Sequence, residues 1–261
     1  MDLNLKGKNA LVCGSSKGIG KAAALEIARL GASVTLVSRS PGIMAGIVEE
    51  MDKTQGQSHD FIVADFSDLA GLEAKVQALV STRLVHILVN NTGGPPAGPV
   101  FEANADAFRD AYEKHLIGNH LLVQAVVPGM KKENYGRVIN VISTSVKAPL
   151  PNLGVSNTVR AAVANWGKTL ANELGRFGIT VNSVLPGATL TDRLTQIIDE
   201  KAAKEGRSSE EVAAEMQAEI PMGRFGTPQE LGAAIAFLAS PAAGYINGIA
   251  LAVDGGRLRN L

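Results

Sequence analysis

The chemistry legible in this chain begins at a glycine-rich turn, Gly14-Ser15-Ser16-Lys17-Gly18-Ile19-Gly20, which follows a short apolar run and opens a helical pattern. Glycines at Gly14, Gly18 and Gly20 allow a tight turn whose backbone N–H groups, those of Ser16 and Ile19 among them, approach a phosphate. The N-terminus of the following helix attracts the same anion. Alone, such a turn is weak evidence; between a strand and a helix it points to a bound nucleotide. The second apolar run ends Val37-Ser38-Arg39-Ser40. An NAD site places a carboxylate there for the adenosine ribose hydroxyls, whereas this sequence offers Arg39, with Lys17 in the glycine turn. Two cations and no acid favour a 2′-phosphate, hence NADP(H); the plain alternative makes Arg39 a surface cation.

These residues need elements to hold them. Apolar runs of strand length cover Asn9 to Cys13, Ser33 to Val37, Phe61 to Ala64, Val85 to Val89, Arg137 to Ile142, Ile179 to Val184 and Ile249 to Val253. Helical windows lie between them at Ile19 to Leu30, Ile43 to Thr54, Leu69 to Val80, Ala105 to Lys132, Gly154 to Arg176 and Pro228 to Ser240. Alternating strands and helices predict an α/β fold, a doubly wound parallel sheet of the Rossmann type covered on both faces. One domain over residues 1–261 is expected, with the charged stretch at about 192–218 as a peripheral helical flap or a solvated excursion. The 25 basic and 25 acidic residues cancel, so no electrostatic footprint for nucleic acid or an anionic membrane exists. No run approaches the roughly 18 apolar residues of a membrane span, and the start Met1-Asp2-Leu3-Asn4 lacks a signal-peptide core. The single cysteine, Cys13, forms no internal disulfide and reads as a small buried residue. A cytoplasmic protein with a small-molecule substrate and no metal site is expected.

Further motifs follow in order: Asp65 after the third strand, Asn90-Asn91-Thr92-Gly93 after the fourth, then Gly136-Arg137-Val138-Ile139-Asn140. Val181-Asn182-Ser183-Val184-Leu185-Pro186-Gly187 with Thr191, Phe237-Leu238-Ala239-Ser240 and Val253-Asp254-Gly255-Gly256 complete the set. With these motifs nearly the whole chain resembles the short-chain dehydrogenase/reductase superfamily, particularly its 3-oxoacyl-[acyl-carrier-protein] reductase-like members. The resemblance implies that Asp65 contacts the adenine, Asn90 and Gly93 line the cofactor, and Pro186, Gly187 and Thr191 border the nicotinamide. It further implies reduction of a carbonyl such as a 3-oxoacyl thioester, and a homotetramer built on the two long helices and the C-terminal segment.

The resemblance breaks at the catalytic residues. Such members use an Asn, a Ser, a Tyr and a Lys, the last two spaced Tyr-x-x-x-Lys. The Ser falls on Ser143, but Ser156 stands where Tyr should be, Arg160 where Lys should be, and His115 at the Asn position. Ser156 and Arg160, four apart, still share a helix face. Arg160 keeps a charge able to hold ribose hydroxyls. An aliphatic hydroxyl is a far weaker acid than a phenol and a ring shorter, so Ser156 acts only through a bridging water or by orienting another group. Tyr112, Tyr135 and Tyr245 read as packing residues. Two replacements for the acid present themselves. His115, with an ordinary pKa near ~6.5, is a proton donor or a backbone-bonded helix histidine. Lys147, in a loop expected over the substrate, is a general acid, an anion receptor or a solvent-exposed lysine. The Pro-rich loop Gly93 to Pro99 borders the same pocket. Three readings follow: an NADP(H)-dependent oxidoreductase with an altered proton relay, a cofactor-binding protein without reductase activity, or an enzyme of another class using the same pocket.

Overall fold

A computed structural model describes residues 1–259. Among these, the strands are β1 (Asn9–Cys13), β2 (Ser33–Ser38), β3 (Asp60–Val63), β4 (Ile87–Asn90), β5 (Gly136–Val141), β6 (Ile179–Pro186) and β7 (Ala250–Val253). They form one parallel sheet in the order β3-β2-β1-β4-β5-β6-β7. The helices are α1 (Gly18–Arg29), α2 (Pro41–Glu50), α3 (Leu69–Thr82), α4 (Ala105–Tyr112), α5 (Gly118–Glu133), α6 (Gly154–Leu174), α7 (Asp192–Glu205), α8 (Ser209–Ala218) and α9 (Pro228–Ala239).

Side chains alternate across a strand, so a sheet covered on both faces needs apolar residues at every position. Ala10, Val12, Val34, Leu36, Ile87 and Val89 pack on one face against Ile27 of α1, Met44 of α2 and Ile235 of α9. Leu11, Cys13, Leu88 and Val138 face the other way, onto Leu72 and Val76 of α3, Leu122 and Met130 of α5, and Leu174 of α6. This is the expected doubly wound arrangement. Cys13 lies fully buried in it, and burial pushes its thiol pKa up to about 12, so the thiol is inert.

One expectation changes. The continuous helix from Ala105 to Lys132 is broken by a π-helical turn, Glu113–Ile117, between α4 and α5. The Gly118 amide reaches back to the Glu113 carbonyl, and Gly118 lets Phe66 and Leu69 close in, where a Cβ would stand 3.0 Å and 3.3 Å away. The charged stretch 192–218 is more than a solvated excursion. Leu194, Ile198 and Ala202 of α7 share a small core with Val212, Ile220 and Phe225, and Ser208 and Glu211 cap α8 reciprocally.

Strand order reverses between β1 and β4, leaving a crevice beyond the carboxyl ends of the strands, where open α/β sheets bind ligands.

Candidate functional site

A cleft of about 920 Å³ occupies that crevice, large enough for a dinucleotide with part of a substrate. Its floor is the glycine turn. Gly14 has φ +59°, and a Cβ there would stand 2.5 Å from the Asn91 carbonyl oxygen; a Cβ on Gly20 would stand 2.2 Å from the Gly14 carbonyl oxygen. Only glycine fits either place. Buried Ser15 turns away from the cleft, its Oγ accepting from the Val37 amide at 3.0 Å, which ties the turn to β2. Asn91 donates to the carbonyls of Cys13 and Gly14 at 3.3 and 3.2 Å and so ties it to β4. Helix α1 then begins with no side-chain cap and no acid in its first turn. Its leading N–H groups are left for an anion, which is the cradle a pyrophosphate needs.

The other walls carry the remaining predicted cofactor residues. Ser16, Lys17, Gly18 and Ile19 line the cleft, as do Ser38 and Arg39 at the end of β2, Asp65, Gly93, Pro186, Gly187 and Thr191. Arg39 is exposed and lies 3.7 Å from the Asp65 carboxylate, whose pKa is held below the usual range by hydrogen bonds from Ser67. No carboxylate stands on the strand end itself, so the Arg39 guanidinium is free to turn to a ribose phosphate. Thr191 caps α7 and packs on Gly18, so the flap begins where the glycine turn ends. Lys17 extends that junction with a 2.7 Å ion pair to Asp192. Asn90 differs from expectation: it is buried, donates to Asn140 Oδ1 at 2.8 Å and stays outside the cleft, while its neighbour Asn91 lines it. Gly20 also lies behind the cleft, backing Gly14.

At the inner end the five candidate catalytic residues separate. Ser143 lines the cleft at the end of β5. Its Oγ accepts from the Ser145 amide at 3.1 Å, which leaves its hydrogen to donate to a substrate oxygen. Arg160, on α6, also lines the cleft and is 8% exposed; it donates to the Val141 carbonyl at 3.0 Å and the Thr92 carbonyl at 3.3 Å. Burial lowers its pKa to about 10, so it stays charged at neutral pH. Ser156, one turn earlier, is half-buried and not part of the cleft wall. His115 sits in the π turn, 2% exposed, with Nδ1 2.5 Å from Thr92 Oγ1. Burial first, then the charges of Arg160 and Lys114, hold its pKa near 3. At neutral pH it therefore has no imidazolium proton to give, contrary to the proton-donor alternative, and it bonds to a side chain rather than to backbone. Lys147 follows a 3-10 turn at Thr144–Val146 and is exposed outside the cleft.

No tyrosine replaces them. Tyr135 packs at the far end of β5, where its hydroxyl meets the Ala239 carbonyl at 3.3 Å. Tyr112 is partly exposed and Tyr245 wholly so, packing against nothing. The sequence reading missed Lys114 and Arg193, which line the cleft from the π turn and from α7; Arg193 donates to the Pro95 carbonyl at 3.2 Å and ties the flap to the Pro-rich loop. Both cations lie in charged stretches that resemble ordinary solvated helix faces. Among the described residues no His, Cys, Asp and Glu side chains cluster as metal ligands, and no helix is long and apolar enough to cross a membrane.

A glycine cradle at the switch point of a seven-stranded parallel sheet defines a dinucleotide-binding α/β protein. A family model described as enoyl-(acyl carrier protein) reductase matches residues 14–257, and the chain belongs to this short-chain dehydrogenase/reductase family of NAD(P)-dependent oxidoreductases. A 3-oxoacyl-[acyl-carrier-protein] reductase of Vibrio harveyi is 34% identical over 257 residues, 97% of this chain and 98% of that protein. The 7alpha-hydroxysteroid dehydrogenase of Escherichia coli is 33% identical over 261 residues, 100% of this chain and 98% of that protein. Among solved structures, L-sorbose reductase from Gluconobacter frateurii, complexed with NADPH and L-sorbose, superposes with a TM-score of 0.93 at 31% identity, covering 100% of both chains.

Proposed function

We propose that the chain is an NADP(H)-dependent oxidoreductase that reduces a small carbonyl compound, with Ser143 as the donor to the reacting oxygen. The observation that carries this reading is the cation Arg39 at the end of β2, beside an uncapped α1 and a cradle that only glycine fits. The NADPH in the L-sorbose reductase structure supports the same choice of cofactor. The bound nicotinamide would supply a hydride to the carbonyl carbon. Ser143 donates to the oxygen as its negative charge develops. The proton that completes the alcohol comes from water, because neither a phenol nor an imidazolium stands at the cleft wall. That same lack supports the second reading, a cofactor-binding protein without reductase activity. The homotetramer implied by the resemblance remains part of the proposal as assembly, and the 3-oxoacyl thioester implied with it is one of the carbonyl classes to be tested as substrate.

Nicotinamide fluorescence titrations with NADPH and NADH test the cofactor, with NADPH expected to bind at least about tenfold more tightly, a difference of ~1.4 kcal/mol. Equal affinities, or none, overturn it. A screen of NADPH consumption over ketones, small oxo acids and 3-oxoacyl thioesters then separates the readings: turnover that falls in Ser143→Ala supports the reductase, and silence across all three with tight NADPH binding supports the second.

A further inference from the structure

We propose that Arg160 is the receptor for a carboxylate on the substrate, so that the cleft takes a small oxo acid in preference to a neutral ketone or thioester; this rests on the NADP(H)-reductase reading above. Arg160 carries a full charge into the interior, and among the described residues its hydrogen-bond partners are two neutral carbonyls, those of Val141 and Thr92. Among the described residues no carboxylate pairs with it. Neither of the two acids of the cleft wall reaches it: Asp65 lies 3.7 Å from Arg39, and Asp192 pairs with Lys17 at 2.7 Å. An unpaired buried cation is costly, and a charge of opposite sign brought to it inside a low-dielectric cleft offsets that cost.

The cofactor's anions are poorly placed to supply that charge. A 2′-phosphate belongs at Arg39, at the end of β2, and Arg160 meets the end of β5, three strand spacings or about 14 Å across the sheet. A pyrophosphate is served by the glycine turn and the N-terminus of α1. The ribose between it and the nicotinamide presents only neutral hydroxyls. What remains is the substrate. A guanidinium presents five N–H groups in a planar fork that matches a carboxylate with two parallel bonds, and the two carbonyls leave the rest of that fork available. Arg160 itself lines the cleft, and Gly94 on the neighbouring loop, which also lines it, carries no side chain to cover the guanidinium. Lys147, the anion receptor considered from sequence, is outside the cleft. Ser143 lines the same cleft, and with the carboxylate held at Arg160 the proposal gives the oxo group to Ser143.

The test uses the full chain loaded with NADPH. Pyruvate and acetoacetate are titrated against their methyl esters, with nicotinamide fluorescence as the readout. Each acid is expected to bind at least about tenfold more tightly than its ester. Arg160→Met is expected to abolish the difference and Arg160→Lys to restore part of it. Equal affinity of acid and ester in the unmodified protein, or no binding of either acid, overturns the proposal without reference to any variant. A discrimination that survives Arg160→Met places the receptor elsewhere and overturns it too. Failure of the underlying cofactor reading is separate, since it shows earlier as no binding of NADPH.

Discussion

A buried arginine meets each end of strand β5, Arg137 on the strand itself and Arg160 reaching in from α6, and the two have opposite surroundings. At the amino end, Arg137 is 4% exposed and donates to the carbonyls of Gly136 at 2.8 Å and of Gly178 and Ser240 at 3.4 Å. Its guanidinium stacks 4.3 Å above the Tyr135 ring, which also receives Lys8 and the edge of His86. At the carboxyl end, Arg160 has two carbonyls, no aromatic ring and an open cleft. Each arginine also has a neutral histidine nearby, His86 below and His115 above. The amino end has finished its interactions within the chain. The carboxyl end has not, and an unfinished set of interactions around a buried charge is what a binding site looks like before its ligand arrives.

Substitution breaks the comparison most directly. Arg137→Met removes three hydrogen bonds to carbonyls and the stacking on Tyr135, so urea unfolding is expected to show a loss of about 3 kcal/mol. Arg160→Met removes a buried charge that nothing neutralises, and its stability is expected within about 1 kcal/mol of the unmodified protein. Equal losses would make Arg160 a structural residue like Arg137 and erase the difference between the two ends.

Much of this contrast was hidden in the sequence, for reasons that differ by residue. The run Asn9 to Cys13 is strand β1 without adjustment, because apolar residues at consecutive positions between a lysine and a glycine fit little else in an alternating pattern. The glycine turn was legible because Gly14 and Gly20 are required by backbone geometry, which residue type reports directly. The π turn was not, since it inserts one extra residue into a helix without changing which residue types occur there. Asn90 and Asn91 look alike in sequence, yet successive positions at a strand end face different ways. One pairs with Asn140 in the interior and the other closes the glycine turn. For His115 the sequence supplies only the ordinary pKa. Its neutrality comes from burial and from Arg160, forty-five positions away.

The two histidines extend the contrast to acid, with an intermediate effect. His86 accepts from the Asn9 amide at 3.0 Å, and burial with Lys8 lowers its pKa to about 4; His115 stands near 3. In the unfolded chain both take up a proton as pH falls through ~6.5. The folded chain resists until the lower values. Their stabilising effect is complete above the unfolded pKa and is lost as pH falls, with a slope approaching ~1.4 kcal/mol per pH unit for each group. Burial also lowers the His59 pKa, so urea midpoints measured from about pH 6.5 down to about pH 4.5 should drop steadily, and His115→Asn should make that drop shallower by its own share. A flat profile would mean that both imidazoles are charged in the fold.

The smallest effect belongs to the mouth of the cleft, which has no counterpart at the amino end. Lys17 and Asp192 pair at 2.7 Å while both remain largely exposed, and together they join the glycine turn to the flap. Exposed pairs contribute little to stability, so Asp192→Asn should unfold at the same urea concentration as the unmodified protein. Its effect is on the ligand. Asp192 is one of two carboxylates in a cleft wall that otherwise carries five cations, and NADPH brings several phosphate charges to that wall. Removing the carboxylate lowers the repulsion and frees Lys17 for the phosphates. NADPH affinity should rise a few-fold at low ionic strength, and the gain should fade as added salt shortens the screening length below about 10 Å. Weaker binding in Asp192→Asn would show that the tie between turn and flap outweighs the charge. The carboxyl end would then owe its binding to a held shape, as the amino end owes its stability.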